Sequence, residues 1–299
     1  MSYLNLEQVS KQYGTKTAVQ QINFQVERGE IFGLLGGNGA GKTTTMRMIL
    51  GLISHDAGDI TYNGKVYDDT LLKKMGYLPE ERGLYPKVKV SEQLTYLAQL
   101  KGMSRKQADK DLKAWLERFG VPENYDRKME ELSKGNQQKI QFIAAVLHRP
   151  ALLILDEAFS GLDPVNVELL KKTVQELRDE GTCIVFSTHR MEHVEELCKQ
   201  MLILHQSNTL LQGNIKEIKA QFPKEQVRLV TAAPLKKLEQ IDGVQKVEQL
   251  QNGYKIKMDR EETAKKILHY ALDKTDIHHF EIMQPTLHDI FVNTVGGEQ

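Results

Sequence analysis

The chain has 299 residues, 40% of them hydrophobic and 27% charged, the balance of a globular protein with room for about two domains. Its 40 basic and 40 acidic side chains cancel to a formal charge of +0, which excludes a strong whole-chain field for nucleic acid. Two scattered cysteines, Cys183 and Cys198, provide no disulfide framework, and no stretch reaches the run of about eighteen apolar residues that a membrane span needs.

In chain order, residues 1 to 30 alternate apolar and polar positions ("YLNLEQV", "INFQVERG"), the pattern of half-buried antiparallel strands. The opening "MSYLNLEQVSKQYG" lacks the basic segment and apolar stretch of a signal peptide, so the expectation is a cytosolic protein. "EIFGLLG" reads as a buried strand that runs through a glycine-rich turn into the helix "KTTTMRMIL", closed by Gly51. Residues 91 to 150 are mostly helical in pattern. "ALLILDE" and "TCIVFST" are further buried strands, separated by a helix that Asp163 caps, Pro164 starts and Gly181 stops. Buried strands alternating with helices predict a parallel sheet covered on both faces.

Beyond about residue 220 the texture changes. "EQVRLVT", "VQKVEQLQ" and "YKIKM" predict short strands, with Asn252-Gly253 as a type I′ hairpin turn. Ala264, Ile267, Leu268, Ala271 and Leu272 mark one face of an amphipathic helix. A strand, "IHHFEIM", and a final helix follow, with Thr286 and Asp289 spaced as a capping box. The expected organisation is an α/β domain over 1–219, with a helical subdomain at about 88–150, and a small α+β domain over 220–299.

"GGNGAGKT" fits G-x-x-x-x-G-K-[ST], with a strand before it and a helix after. Gly36, Gly37, Asn38, Gly39, Ala40 and Gly41 let the backbone turn successive N–H groups toward phosphate oxygens. The helix start at Lys42, Thr43 and Thr44 adds its dipole. Lys42 supplies a point charge to the β- and γ-phosphates, and the Thr43 hydroxyl suits Mg²⁺. Asp156-Glu157 ends an apolar strand at the sheet edge where ligands bind in open α/β folds. Asp156 suits the Mg²⁺ shell, and Glu157 can polarise an attacking water.

"LSKGNQQK" (Leu132 to Lys139), "SGLDP" (Ser160 to Pro164) and "STH" (Ser187 to His189) occur in that order around the Asp156-Glu157 strand. With the phosphate loop, over roughly residues 3 to 215, they make the chain resemble the ATP-binding subunits of ABC (ATP-binding cassette) transporters. The resemblance implies an α/β P-loop NTPase of ABC type: a mainly parallel core sheet, an antiparallel β subdomain and a helical subdomain, here with the C-terminal α+β domain added. It implies ATP and Mg²⁺ as ligands, and a head-to-tail dimer with itself or with a homologous ATPase subunit. In that dimer Ser133 and Gly135 of the signature motif contact the γ-phosphate held by the other subunit. Lys134 and Asn136 depart from the glycine and glutamine usual there. The resemblance also implies that His189 contacts the γ-phosphate and holds the hydrolytic water with Glu157, that Lys42 and Glu157 act in hydrolysis, and that Tyr13 stacks on adenine. Glu80, in "GYLPEERGLYP", stands where the family commonly has glutamine, near Mg²⁺ and the attacking water.

The implied function is an ATPase that powers a separately encoded transmembrane permease, lying in the cytoplasm at the inner face of the membrane. Export of a drug, antibiotic or sodium is expected, because "PTLHDIFVNTV" and "YLPEERGLYP" resemble the efflux type. An importer subunit and a soluble non-transport ABC ATPase are the alternatives. One phosphate loop, no long heptad run and two cysteines argue against the latter, and no nucleic-acid partner is expected. Leu84, Tyr85 and Pro86 are candidates for the surface that grips the permease.

Overall fold

A computed structural model of the protein describes residues 2–81 and 83–296. The chain divides into two compact units, Met1–Gly213 and Asn214–Gln299. The division falls ahead of the helix Ile215–Ala220 rather than after it. That helix buries Ile215 and Ile218 as part of the second unit, whereas the change in sequence texture marks only the strand that follows it.

In the first unit, strands Ile31–Gly36, Leu152–Asp156 and Cys183–Thr188 are buried at every position. A strand with no polar face can be stable only between two covering layers, and these three occupy the middle of a six-stranded sheet. In spatial order its strands are Asn208–Asn214, Gln200–His205, Ile31–Gly36, Cys183–Thr188, Leu152–Asp156 and Met75–Leu78. Ile31–Gly36 pairs in parallel with both of its neighbours, and Leu152–Asp156 does the same. Their shared direction brings Gly36, Asp156 and Thr188 to one edge. Strands Lys16–Glu27, Ser2–Tyr13, Ala57–Tyr62 and Lys65–Val66 form a second, antiparallel sheet. The two sheets share a core in which Phe24 stacks on Phe32 at 4.6 Å, and Met46 and Met48 are packing residues within it.

Helices Val90–Leu100, Arg105–Arg118 and Lys134–Val146 build the helical subdomain. Trp115 meets Phe119 there at 5.8 Å, and Phe119 in turn meets Phe142 at 5.7 Å. The close approach of this subdomain to the edge strand Met75–Leu78 requires Gly76, where a Cβ would lie 2.2 Å from the Ala145 carbonyl oxygen. His148 closes the same seam, its Nε2 3.0 Å from the Met75 carbonyl oxygen, which also accepts from Lys101 Nζ at 3.1 Å.

In the second unit, Gln226–Thr231, Val244–Leu250, Gly253–Met258 and Ile277–Met283 form an antiparallel sheet. Helix Thr263–Leu272 buries Ala264, Ile267 and Ala271 in the same core, while Leu272 is exposed. The hairpin is present, but its register differs by one from the expected Asn252-Gly253 turn. Leu250 pairs with Gly253, so Gln251 and Asn252 make the turn. Gly253 opens the next strand at φ 115°, where a Cβ would meet the Leu229 carbonyl oxygen at 2.2 Å. The glycine is needed for that close approach rather than for the turn. The capping box forms as read: Thr286 N–H donates to Asp289, and Asp289 N–H donates to the Thr286 hydroxyl.

Burial, then the Lys101 charge, lowers the His148 pKa to about 4. The unfolded chain binds this proton near pH 6.5 and the native state does not, so stability falls as pH drops from about 6.5 to about 4. A shift of this size corresponds to about 3 kcal/mol. Thermal unfolding of the wild type is expected to show this acid sensitivity, and His148→Gln, which can still donate to Met75, to show much less of it. Equal slopes of melting temperature against pH would contradict the assignment.

Candidate functional site: a phosphate-binding cleft at the sheet edge

The strand Ile31–Gly36 ends in a loop whose glycines take conformations closed to other residues. Gly39 has φ 78° and Gly41 φ 111°, and a Cβ on Gly41 would also lie 2.6 Å from the Ala18 carbonyl oxygen. The helix Lys42–Ile49 begins at Gly41 with no side chain capping its first turn, so its leading N–H groups remain available to an anion. Lys42 is buried, and its Nζ donates to the carbonyl oxygens of Gly36 at 2.7 Å and Gly37 at 3.1 Å. Burial lowers its pKa, opposed by the charges of Glu157, Asp156 and Glu80.

These residues line a cleft of about 380 Å³ with Tyr13, Lys16, Ala18, Gly37, Asn38, Thr43, Thr44, Glu80, Asp156 and Glu157. Tyr13 is half exposed at the end of its strand, with Lys11 Nζ 5.6 Å from the ring centroid. Gly36 and Ala40 are buried in the loop behind the cleft. Lys16 and Ala18 are contributions that the sequence reading missed. They sit just past Tyr13 across a hairpin, and no motif marks them.

Asp156 ends the strand Leu152–Asp156, one strand removed across the sheet, where it lies opposite Ser187, and Glu157 follows it directly. Burial, with the nearby carboxylates of Glu80 and Glu157, pushes the Asp156 carboxyl up to about 6. Thr43, Asp156 and Glu80 offer only oxygen ligands, which suits Mg²⁺. Among the described residues no three acidic or histidine side chains converge as a metal cage. Such a site fits a cation that takes most of its remaining ligands from phosphate and water.

Glu157 is a non-glycine residue at φ 49°, a left-handed conformation that costs about 1 kcal/mol or more. It is fixed on both its backbone and its carboxylate. Its N–H donates to the Ser187 carbonyl oxygen at 2.9 Å. Oε1 accepts from the His189 backbone N–H at 2.8 Å and lies 2.7 Å from His189 Nδ1, while Oε2 accepts from the Thr188 hydroxyl at 3.0 Å. The structure thus brings Glu157 and His189 together. It adds Thr188, whose contribution the sequence reading missed although it lies inside the quoted "STH". Glu157 is 8% exposed and the His189 side chain 62% exposed, so the pair joins the cleft wall to open solvent.

Ser133 and Gly135 do not line this cleft. Ser133 caps the helix Lys134–Val146 through the Asn136 N–H, and Gly135 faces Leu162 of the "SGLDP" loop. Gln138 Nε2, one turn further on, donates to the Ala158 carbonyl oxygen at 3.0 Å, next to Glu157.

A phosphate loop, an adjacent buried acidic pair, an exposed tyrosine and a capped signature helix define an ABC-type nucleotide-binding unit. Comparison with known proteins agrees. Residues 19–160 match the ABC transporter family. Residues 213–295 match the C-terminal domain of DrrA1-3-like ATP-binding proteins. The ABC transporter ATP-binding protein YhaQ of Bacillus subtilis (strain 168) is 50% identical over 98% of this chain and 99% of its own. The linearmycin resistance ATP-binding protein LnrL of the same organism is 32% identical over 98% of each. A solved ATP-binding subunit of an ABC transporter superposes with a TM-score of 0.70 at 32% identity, covering 74% of this chain and 93% of that one. The chain belongs to the ABC transporter ATP-binding proteins. It is an ATPase subunit, and subunits of this kind work with separate transmembrane permease components.

Lys42→Ala is expected to lower ATP affinity by tenfold or more with little change in melting temperature, as titration calorimetry would measure. ATP affinity equal to wild type would exclude the Gly36–Thr43 loop as the phosphate site.

Proposed function

We propose that this chain binds MgATP in the Gly36–Thr44 cleft and hydrolyses it in a head-to-tail dimer to drive export through a separately encoded permease. Tyr13 stacks on adenine, which suits a half-exposed ring because stacking tolerates solvent on its far side. Loop N–H groups and Lys42 take the β- and γ-phosphates, Lys42 exchanging its bonds to Gly36 and Gly37 for phosphate oxygens. Thr43 and Asp156, with Glu80 beside them, would hold Mg²⁺, which when bound would supply charge neutralisation on the phosphates. Glu80 carries a negative charge where the family's glutamine is neutral.

The observation that carries the reading is the position of Glu157, a carboxylate at the wall of the phosphate cleft held by Thr188 and His189. Glu157 accepts the proton of the attacking water while His189 contacts the γ-phosphate. Ser133 and Gly135 serve the nucleotide of the second subunit, in keeping with a helix N-terminus that leaves its own cleft untouched. Export is supported by the linearmycin resistance relative, LnrL, similar over nearly the full length, and by the DrrA-like C-terminal match. No described helix is long and apolar enough to cross a membrane, in keeping with a membrane path supplied by a partner.

Two features favour the "GLYP" segment as the docking surface. Tyr85 is 73% exposed, yet its backbone is pinned by the buried Gln93, which accepts from Tyr85 N–H and donates to the Val88 carbonyl oxygen. Leu84 lines an apolar groove of about 310 Å³ with Leu52, Leu72, Tyr77 and Leu97. An exposed aromatic held on an anchored loop beside an apolar groove suits a protein partner.

Glu157→Gln is expected to retain ATP binding, lose hydrolysis and accumulate as a nucleotide-bound dimer in sedimentation velocity. A monomer with ATP, or hydrolysis at the normal rate, would contradict the mechanism. Tyr85→Asp is expected to keep ATP binding and melting temperature but to lose co-purification with a co-expressed candidate permease. Undiminished co-purification would remove this loop from the interface.

A further inference from the structure

Phe159 follows Glu157 by two residues and is buried between two rings. On one side is Phe186, with centroids 5.1 Å apart and a 44° tilt. On the other is His193, also at 5.1 Å, meeting Phe159 edge-on at 76°. Phe186 belongs to the strand Cys183–Thr188, whose last residue donates to the Glu157 carboxylate. His193 belongs to the helix Met191–Leu197, which starts two residues after His189. The Glu157 loop and the Thr188–His189 segment are therefore joined through the carboxylate and again through three contacting rings behind it.

His193 is an unusual residue for such a place. It is 7% exposed, and its Nε2 is buried with no hydrogen-bond partner. Phenylalanine would incur no such desolvation cost. Burial, reinforced by the positive charges of Lys171 and Arg190 and opposed by the negative charges of Glu196 and Glu192, lowers its pKa. Its Nε2 makes no hydrogen bond that would account for a histidine here. What the residue supplies is a T-shaped contact with the Phe159 ring, an arrangement aromatic pairs favour at this separation.

We propose that His193 is a positioning residue for ATP hydrolysis, acting through Phe159 to set the angle between Glu157 and the Thr188–His189 segment. The inference rests on the reading of Glu157 as the base. When Glu157 turns to the attacking water and His189 to the γ-phosphate, the bonds between these two side chains must be exchanged. At that moment the loop keeps the Glu157 N–H bond to the Ser187 carbonyl oxygen, the Ser160 N–H bond to the Glu157 carbonyl oxygen and the Gln138 bond to the Ala158 carbonyl oxygen. The Phe186–Phe159–His193 contacts add the side-chain packing that ties the residue before "SGLDP" to the strand and the helix on either side of His189. Losing the stack leaves ATP binding intact and lets the base drift from its in-line position, so the cost falls on kcat.

The test uses the full chain with MgATP in steady-state hydrolysis. His193→Ala is expected to lower kcat about three- to tenfold, the range of a lost aromatic pair, with KM for ATP within about twofold of wild type. His193→Phe restores kcat, and Phe159→Leu, which keeps an apolar side chain in place, reproduces the loss. In a His189→Ala background, His193→Ala adds little further loss, because the two residues act on one geometry. Wild-type kcat in His193→Ala and Phe159→Leu would overturn the proposal. So would a loss that tracks melting temperature and is not restored by phenylalanine. The arms separate the two claims. Full activity in Glu157→Gln would remove the base assignment itself, whereas a dead Glu157→Gln beside a fully active His193→Ala removes only the ring brace.

Discussion

The molecule is organised around charge placed at the end of an apolar sheet. Strands Ile31–Gly36, Leu152–Asp156 and Cys183–Thr188 bury every residue, and each ends at the same edge beside a polar or charged group. Lys42, Asp156 and Glu157 are largely withdrawn from water there, where charge is expensive unless it is paired. In the free protein the cost is met incompletely. Burial lowers the Lys42 pKa and raises that of Asp156 to about 6, and Lys42 Nζ is satisfied by two loop carbonyls. A triphosphate with a divalent cation answers each deficit. In the proposed reading it would bring anionic oxygens to Lys42 and the helix N–H groups, and a cation to Asp156. The site is preorganised for a ligand that the fold alone does not satisfy.

The same edge explains how a reaction there can be felt elsewhere in the first unit. Glu157 is held in a left-handed backbone conformation by bonds to Ser187, Thr188 and His189. The next residue accepts a bond from Gln138 in the signature helix, and Phe159 is clasped by Phe186 and His193. Three consecutive residues thus touch the end of the strand Cys183–Thr188, the signature helix and the helix that follows His189. In the proposed reading a change at the γ-phosphate would have short, packed routes to the signature helix and to the helix that follows His189.

The parts legible in the sequence are those in which local chemistry and context coincide. A phosphate loop needs its glycines, its lysine and its flanking strand and helix in one continuous stretch, and all are visible in "EIFGLLGGNGAGKTTTM". The fully apolar strands, the Asp163-Pro164 helix start and the Thr286–Asp289 capping box were readable for the same reason. What was not legible depends on contacts distant in the chain. Lys16 and Ala18 reach the cleft because a hairpin returns them beside Gly41. Thr188 matters because parallel pairing places it beside Glu157. His193 looks like one more polar residue on a short helix until Phe159 is seen beside it. Gly253 was read as a turn residue, and only the register shows that it serves the approach of Leu229.

The most direct measurement of the central claim is the position of the triphosphate in a crystal structure of this chain with a non-hydrolysable ATP analogue and Mg²⁺. The account predicts phosphate oxygens on the N–H groups of Gly39 to Thr44, Lys42 Nζ moved from the Gly36 and Gly37 carbonyls to the β- and γ-phosphates, and Glu157 facing the γ-phosphate. A triphosphate bound elsewhere, with Lys42 still on its two carbonyls, would contradict it.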